Sequence, residues 1–272
     1  MSEYQITCCS TADMPAQYFE EKKIPFVCFN FLMDGVQYPD DLGKSMPFKE
    51  FYKKIADGAE PTTAQVNTQQ YMELFEPILQ KGLDILHLTL SSGISGSINS
   101  ANIAKVQMEE KYPGRKVRII DSLSASSGYG MLVDMALTKQ QEGLSLEENA
   151  SWLEENRNKL HHWFFSTDLT SFIRGGRISK VSGFVGQALN ICPLMNVNSE
   201  GKLIPRSKYR GKKQVIREMV KRMEEHAKGG TAYSGKCFIS CSACEEDARK
   251  VADMIAVSYT HLRAHETLSD LV

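Results

Sequence analysis

The sequence predicts an α/β fold in which a three-layer α/β/α domain with a mostly parallel sheet precedes an α+β domain. Its 272 residues suit two domains at roughly 150 residues each. Short apolar runs alternate with amphipathic segments over residues 1–145, which is typical of a parallel sheet with helices on both faces. Over residues 146–256 this rhythm gives way to irregularly spaced short strands and helices, which predicts the second domain.

The elements of the first half are predicted in chain order from periodicity and turn residues. A strand at 4–8 comes first, and the nearly continuous apolar run at 26–33 predicts a strand that is buried on both faces. Asp34 and Gly35 then predict a tight turn into a return strand at 36–38. Amphipathic patterns predict helices at 15–22, 48–55 and 69–79.

The middle of the chain gives the clearest pattern. An apolar strand at 84–90 leads through a turn rich in serine and glycine into a helix at 98–111, and a strand and a helix follow at 116–121 and 124–142. This repeated order implies strands that run in the same direction. In the second domain we predict helices at 146–159, 213–227 and 245–256, strands at 161–166 and near 194–206, and a loop rich in glycine and arginine at 172–182.

The composition excludes several classes of protein. Hydrophobic residues make up 42% of the chain and charged residues 24%, which is normal for a soluble globular protein. The 32 basic and 33 acidic residues give a net charge of −1, so there is no overall attraction to nucleic acid or to an anionic membrane. No apolar run reaches the ~20 residues of a membrane-spanning helix. The first residues lack the features of a secretory signal, so we expect a cytoplasmic protein.

The seven cysteines predict reduced thiols rather than disulfides, because the number is odd and a chain of this size needs no covalent staples. The densest group is Cys237, Cys241 and Cys244, which contains one CxxC pair. The second CxxC pair of a zinc site is missing, although Cys8 and Cys9 are possible further ligands in three dimensions. We favour small buried apolar side chains over a metal site.

The last residues, 257–272, differ from the rest of the chain. They show no clear apolar face and no helix cap. They also resemble the translated read-through of a sequencing adapter. We therefore expect residues 257–272 not to be native.

Two segments are rich in hydroxyl groups and free of lysine and arginine: TTAQ at 62–65 and SSGISGS at 91–97. The second segment joins a strand to a helix, at the sheet edge where open α/β folds bind their ligands. Gly93 and Gly96 let a ligand approach the backbone, and a helix amino terminus attracts negative charge. This pattern indicates a site for an anionic or strongly polar head group. The alternative that Ser95 only caps the helix stays open.

Two enzyme alternatives also use the turn at 91–97. A serine hydrolase would use Ser95 or Ser92 as its nucleophile, but the chain reads GISG rather than GxSxG. Its possible triad partners are Asp121, His87, His161 and His162, and we favour core positions for the histidines. A phosphate or nucleotide site is the second alternative, although no GK[ST] follows the turn.

Basic residues concentrate between residues 202 and 222. This segment holds nine cations against the single acid Glu218, and they are Lys202, Arg206, Lys208, Arg210, Lys212, Lys213, Arg217, Lys221 and Arg222. A solvated surface explains them, and so does an acidic or phosphate-bearing partner. Nucleic acid is less favoured because no aromatic ladder or known binding motif accompanies the charge.

Taken together, these segments resemble the DegV family of bacterial fatty-acid-binding proteins. Motifs of that family correspond, in order, to STADMP at 10–15, PTTAQVN at 61–67, SSGISGSINSA at 91–101, DS at 121–122, IRGGRIS at 173–179, LNICPLMNV at 189–197 and KYRGKK at 208–213. The resemblance covers roughly residues 4–256. The combined order is more specific than any single motif.

The resemblance implies a two-domain, non-catalytic protein that encloses one long-chain fatty acid and has no other cofactor. It presents the carboxylate to a partner kinase, which phosphorylates it with ATP for phospholipid synthesis. The resemblance assigns the carboxylate to Thr63 and Ser95, and the partner surface to Arg177 and Arg210. The second layer around the carboxylate consists of Thr62, Ser92, Gly93 and Gly96.

Four positions depart from the family's pattern. Cys9 stands where an aspartate is usual, and Ala64, Val66 and Asn67 replace a serine, a proline and a serine. The family's C-terminal segment, which contains a histidine, has no counterpart in this sequence. Because hydroxyl groups without a nearby lysine or arginine solvate a carboxylate only partly, we expect the pKa of the bound acid to be raised.

Overall fold

The computed structural model describes residues 3–179 and 190–259 of a chain that divides into two compact units, Met1–Leu160 and His161–Leu271. The strands of the described part are β1 Tyr4–Cys9, β2 Phe26–Val27, β3 Asn30–Met33, β4 Val36–Pro39, β5 Thr62–Ala64, β6 Asp84–Thr89, β7 Val117–Asp121, β8 Trp163–Phe165, β9 Ile191–Val197 and β10 Leu203–Arg210. Its helices are α1 Ala16–Lys22, α2 Phe48–Ala56, α3 Thr68–Gln80, α4 Ser97–Lys111, α5 Ser126–Gln141, α6 Leu146–Asn156, α7 Thr170–Arg174, α8 Lys212–His226 and α9 Glu245–Ser258.

A parallel sheet with the strand order β2–β1–β6–β7 forms the centre of the first unit. Helix α3 packs on α4, α5 packs on α6, and each pair also contacts strands of the sheet. Strand β6, with the sequence DILHLT, is buried along its whole length. A continuous apolar strand of this kind is expected where helices cover both faces of a sheet. The predicted α/β class with a parallel sheet is confirmed.

Helix α6 belongs to the first unit, although the sequence analysis places a domain boundary before it, at residue 145. The helix packs against α5 and β7. A capping box between Ser145 and Glu148 fixes its first turn. Because of this packing, the first compact unit extends to Leu160.

The apolar run at 26–33 is not one strand, so this prediction is wrong. Strand β2 joins the parallel sheet beside β1, whereas β3 lies in a separate antiparallel sheet of order β4–β3–β5. Along β3 the side chains alternate: Phe31 and Met33 are buried, but Leu32 is 46% exposed. The run is apolar because it serves two sheets in succession, and its composition does not reveal the break between them.

Helix α5 makes a close contact with the turn that follows β1. A β-carbon at Gly130 would lie 2.5 Å from the carbonyl oxygen of Ala12 and 2.6 Å from the Sδ atom of Met14. Ala12 belongs to a short 3₁₀ turn, Ser10–Ala12, at the carboxyl end of the strand. The absence of a side chain at Gly130 therefore lets the helix fix one of the loops at this edge of the sheet.

The second unit contains an antiparallel sheet of order β10–β9–β8. Helix α8 packs on all three strands and on α9, and Ile216 and Val220 of α8 meet Val251 and Ile255 of α9 in one core cluster. The predicted loop at 172–182 is helical at its start, because α7 extends to Arg174. The part of this loop from 180 to 182 lies outside the described residues.

Helix α9 continues into the segment that we expected not to be native. Its last turn includes Val257, which is 79% exposed, and Tyr259 behind it is fully buried in the core cluster of α8 and α9. Residues 260–272 of that segment lie outside the described residues. All seven cysteines are free thiols, as predicted.

Candidate ligand-binding site

Three loops leave the carboxyl edge of the parallel sheet next to one another. They follow β1, β6 and β7, which are adjacent strands. The loop after β6 contains the predicted turn at 91–97, and the loop after β7 begins directly after Asp121, the last residue of that strand. Their arrangement agrees with the rule that open α/β sheets bind ligands at the carboxyl ends of their strands.

The backbone amides of the turn at 91–97 are mostly satisfied from within the protein. The amide of Ser92 donates to the carboxylate of Asp121 over 3.1 Å, and that of Gly93 donates to the hydroxyl of Ser91 over 3.0 Å. The amide of Ser95 donates to the carbonyl of Ser91 over 3.0 Å. An anion at this edge therefore has to be met largely by side-chain hydroxyl groups rather than by these amides.

Ser95 is 4% exposed and lies just before helix α4. Its hydroxyl oxygen accepts a hydrogen bond from the amide of Ser97 over 3.3 Å, which is a local turn contact rather than a helix cap, because Gly96 is the N-cap residue of α4. A hydroxyl that accepts one bond still has its own hydrogen to donate. This local contact and a ligand-binding role are therefore compatible at Ser95.

The other hydroxyl-rich segment forms the edge strand β5 of the small antiparallel sheet. Thr63 lies opposite the buried Phe31, Thr62 lies opposite Leu32, and both threonines are exposed. Directly after the strand, Asn67 begins helix α3 with a capping box to Gln70. Here the sequence analysis predicted a polar segment but no strand.

Gln65 brings the two hydroxyl-rich segments together. A β-carbon at Gly96 would lie 3.1 Å from the side-chain oxygen of Gln65, so the glutamine lies directly over the turn at 91–97. The segment that contains Thr62 and Thr63 therefore approaches the turn at 91–97 through Gln65. Gln65 belongs to the predicted segment at 62–65, but nothing in the sequence indicated that its side chain would contact the turn at 91–97.

The loop after β7 supports this edge. The carboxylate of Asp121 accepts hydrogen bonds from the amides of Ser92 and Leu123, and the amide of Ser91 donates to the carbonyl of Ser124 over 3.1 Å. Asp121 therefore acts as a brace between two loops.

A buried polar cluster lies beneath the turn. The hydroxyl of Thr7 lies 2.8 Å from Nδ1 of His87, and Nε2 of the same ring lies 3.8 Å from the thiol of Cys9. That thiol lies 3.5 Å from the hydroxyl of Tyr71. Burial lowers the pKa of His87 to about 3 and raises the pKa of the Cys9 thiol to about 11, so both side chains are neutral near pH 7.

Two carboxyl groups near the turn after β1 also have raised pKa values. Burial raises the pKa of Asp40 to about 6, against the effect of its hydrogen bond with Ser10. Burial and the charge of Asp40 raise the pKa of Asp13, which follows that turn. Burial therefore makes both carboxyl groups harder to ionise than exposed ones.

The histidine of the first unit does not pair with Ser95 in the part of the chain that the structure describes. His87 is engaged by Thr7 and Cys9. In the second unit, the ring of His161 stacks on that of His226 with their centroids 4.5 Å apart. The geometry thus gives no support to the hydrolase alternative.

The predicted partner residues lie in the second unit. Arg177 is half-buried and donates a hydrogen bond to the carbonyl of Gly175 over 2.7 Å. Arg210 is exposed on β10 together with Arg206 and Lys208, at every second position of the strand. Alternate residues of a strand point to the same side, so these three cations share one face.

Three further findings concern a cavity, possible metal sites and possible membrane-spanning helices. A cavity of about 390 Å³, lined by Tyr4, Leu83 and Gln140 among others, lies at the opposite edge of the sheet, where β1 and β6 begin. Within residues 3–179 and 190–259, no three potential ligands among histidine, cysteine and acidic side chains gather around a possible metal site. No helix in these ranges has the length and apolar character to cross a membrane.

Solved structures share this fold over nearly the whole chain. A DegV family protein from Thermus thermophilus, described as fatty-acid-binding, is 26% identical and has a TM-score of 0.83, with 100% of this chain and 93% of that chain covered. The Fatty Acid Kinase (Fak) B3 protein of Streptococcus pneumoniae, solved with linoleic acid, is 22% identical and also has a TM-score of 0.83. That match covers 98% of this chain and 92% of the other.

Sequence comparison gives the same result. A DegV domain-containing protein of Clostridium perfringens is 35% identical over 259 residues, which cover 95% of this chain and 88% of that protein. The sequence model of the DegV family, whose members are described as uncharacterised, matches residues 4–270. The motifs, the fold and these matches agree, and the chain belongs to the DegV family.

Proposed function

We propose that this protein binds one long-chain fatty acid and holds its carboxylate at the carboxyl edge of the parallel sheet. The observation that carries the proposal is the contact of Gln65 with Gly96, which unites the two hydroxyl-rich segments at that edge. The fatty acids bound by the structural neighbours from Thermus thermophilus and Streptococcus pneumoniae support the same ligand class.

Thr63 and Ser95 are the proposed ligands of the carboxylate. The exposed hydroxyl of Thr63 and the free hydrogen of the Ser95 hydroxyl both suit an acceptor that carries negative charge. The proposed second layer consists of Thr62, Ser92, Gly93 and Gly96. Because the amides of Ser92 and Gly93 already donate within the protein, the hydroxyl of Ser92 is the useful feature of this part of the turn.

The acyl chain supplies most of the binding free energy. A sixteen-carbon acid has about fourteen methylene groups, and at ~0.8 kcal/mol each their burial contributes ~11 kcal/mol before association and ordering costs. Those costs remove a large part of this sum. Sub-micromolar affinity is the expectation that remains.

The bound acid is the substrate of a partner rather than of this chain. We propose that an ATP-dependent kinase takes the presented carboxylate: a carboxylate oxygen attacks the γ-phosphorus of ATP, and acyl phosphate and ADP result. Arg177 and Arg210 are the proposed partner-facing residues, since cations on a surface favour an acidic partner. The Fak B3 neighbour, whose name is that of a fatty acid kinase component, supports this assignment.

Lipid analysis and ligand titration test the proposal. Mass spectrometry of an organic extract from purified protein should find palmitate-, stearate- or oleate-like acids, and titration should give a sub-micromolar Kd. Thr63→Val and Ser95→Ala should each weaken palmitate binding about tenfold or more, because each removes one hydrogen bond to a charged group.

Thr138→Val is the matched control for Thr63→Val. Its hydroxyl donates to the carbonyl of Asp134 within helix α5, and it has no part in the proposed site. This variant should bind palmitate like the wild type. An extract without fatty acid together with no measurable palmitate binding would contradict the proposed function. Ester hydrolysis that Ser95→Ala abolishes would favour the hydrolase instead.

A further inference from the structure

The turn at 91–97 has the chain path of a phosphate site, because it leads from a parallel strand to the first residue of a helix. Strand β6 ends at Thr89, and helix α4 begins at Ser97. In phosphate-binding α/β folds the backbone amides of such a turn point at the anion, and the helix dipole adds to the attraction. The topology therefore suits a phosphate, and the amides of the turn decide whether one can bind.

The amides of the turn are already in use. Those of residues 93–95 donate to the hydroxyl or the carbonyl of Ser91. The amide of Ser92 points out of the turn and donates to the carboxylate of Asp121 over 3.1 Å. The side chain of Asp121 thus accepts the hydrogen bond that the anion of a ligand accepts in a phosphate site.

The loop after β7 holds this carboxylate in place. Its Oδ1 atom also accepts a hydrogen bond from the amide of Leu123 over 3.0 Å, and Leu123 has a φ of +48°, a left-handed conformation that leucine rarely adopts. Arg157 donates to the main-chain carbonyl of Asp121 over 2.6 Å. Backbone strain of this kind persists only where the surrounding contacts hold it, so the fold fixes the position of the Asp121 carboxylate.

The Asp121 carboxylate has no cation paired with it among the described residues. The groups that its Oδ1 atom accepts from are the two backbone amides of Ser92 and Leu123. Ser95, a proposed ligand of the fatty acid, lies in the same short turn as Ser92. A second anion at this edge therefore meets the repulsion of Asp121, and the Coulomb energy doubles when the ligand carries two charges instead of one.

We propose that Asp121 is a specificity-determining residue of the head-group site, which admits a carboxylate and rejects a dianionic phosphate or phosphonate. The inference rests on the proposed function and narrows the ligand class of that same site. It concerns groups that take the place of the carboxylate itself, and not a phosphoryl group attached beyond it. A fixed internal anion explains why a turn with the topology of a phosphate site suits a fatty acid.

The test compares three ligands that have the same sixteen-carbon chain: palmitic acid, hexadecylphosphonic acid and 1-hexadecanol. They are delivered from cyclodextrin at about pH 9, where the phosphonate is a dianion, and measured by titration calorimetry. The wild type should bind palmitic acid more tightly than the phosphonate. In Asp121→Asn, whose side-chain oxygen can still accept from both amides, the Kd should fall about tenfold for the phosphonate and about threefold for palmitic acid. For 1-hexadecanol it should change less than about twofold.

Glu148→Gln is the matched control. It removes the same charge from a carboxylate that also accepts a hydrogen bond from a backbone amide, that of Ser145 over 2.8 Å. Ser145 borders the cavity at the opposite edge of the sheet, so this charge is far from the proposed head group. The variant should leave all three Kd values within about twofold of the wild type.

Asp121→Ser is a second neutral variant, which keeps the test decisive if Asp121→Asn does not fold. Its hydroxyl can still accept from the amide of Leu123 in the same local turn, and the same order of effects is expected. Equal gains for the acid and the phosphonate, no gain for the phosphonate, or a wild type that binds both equally would overturn the specificity role.

The proposed function fails separately from this inference. If the wild type bound no palmitic acid, the proposed function itself would be wrong. If it bound palmitic acid but the neutral variants bound the phosphonate no better than the wild type does, the specificity role of Asp121 alone would be wrong.

Discussion

The two units of the molecule treat charge in opposite ways. Around the turn at 91–97 the first unit gathers hydroxyl groups above a neutral imidazole and a neutral thiol, those of His87 and Cys9. The second unit instead presents the cations Arg206, Lys208 and Arg210 along one exposed face of β10. The first arrangement suits a ligand that must be held in one orientation, and the second suits a partner that must be attracted.

The contrast has a physical basis. Hydrogen bonds from neutral groups depend steeply on distance and angle, so their strength is lost with small displacements. Attraction between exposed charges extends over about 10 Å and is weakened by salt. The site in the first unit should therefore respond to changes in packing, and the cationic face of the second unit should respond to ionic strength.

The largest effect is expected where helix α5 packs against the turn that follows β1 in the first unit. In Gly130→Ala the new methyl group would clash with the backbone of Ala12, and we expect a loss of about 3 kcal/mol in the free energy of unfolding despite alanine's better helix propensity. Denaturant unfolding followed by circular dichroism measures it. Gly143→Ala, at a glycine with open space around it and a φ of +93°, should cost only about 1 kcal/mol. Equal losses in both variants would show that the contact with Ala12 is not tight.

The next largest effect concerns the pH dependence of stability that the buried side chain of His87 causes. Because the folded pKa of His87 is about 3 and the ordinary value is 6.5, its contribution to stability is complete above pH 6.5 and is lost as pH falls towards 3. At pH 5 the loss should be about 2 kcal/mol. The measurement is the pH dependence of the unfolding free energy.

The matched variant for this prediction is His87→Gln, whose amide can still face Thr7 and Cys9 but does not titrate. The difference between the two pH profiles isolates His87 from Asp13 and Asp40, whose raised pKa values act in the opposite direction. Parallel profiles for wild type and variant would contradict the prediction.

The third prediction concerns the pKa of a fatty acid bound at the candidate site of the first unit. A carboxylate solvated by hydroxyl groups alone should have a pKa about one unit above that of the same acid in water, which corresponds to about 1.4 kcal/mol. Carbon-13 NMR of bound palmitate labelled at the carboxyl carbon measures the titration directly. A pKa at or below the aqueous value would mean that a cation reaches the head group.

The smallest effect is expected at the cationic face of β10 in the second unit. Arg210→Glu should weaken coupling to the kinase by about 1 kcal/mol, roughly fivefold, and less so at high salt. Its affinity for palmitate should stay within twofold of wild type. Acyl-phosphate formation at two ionic strengths, together with a lipid titration, tests both statements. If lipid affinity fell together with the coupling, the assignment of Arg210 to the partner surface would be wrong.

Much of the fold follows from the sequence because periodicity and turn residues are local signals. The alternation between 84 and 142 predicted the parallel strands and their helices, and the structure confirms them. The run at 26–33 was misjudged because the edge strand of the parallel sheet, β2, and the central strand of the small antiparallel sheet, β3, have the same apolar composition over so short a length. Strand β5 was missed because three residues, two threonines and an alanine, are too few to show a period.

The candidate site was predictable only as far as its segments. Hydroxyl-rich runs at strand ends predicted which loops to inspect, and the structure brings them together. The brace at Asp121 and the position of Tyr71 depend on side chains from elements far apart in the sequence. Apolar periodicity marks Tyr71 only as a core residue of α3. Its neighbours follow from the packing of three elements, which no local pattern encodes.

The small antiparallel sheet has a consequence for how such proteins diverge. Together with α2 it packs around a core of its own, formed by Phe31, Met33, Met46 and Phe51, and it carries Thr62 and Thr63 on its strand β5. The stretch from β3 to β5 thus behaves as a cassette, inserted between β2 and α3 at two junctions. A substitution within that cassette should therefore disturb its own core before it disturbs the parallel sheet, so the two parts can diverge separately.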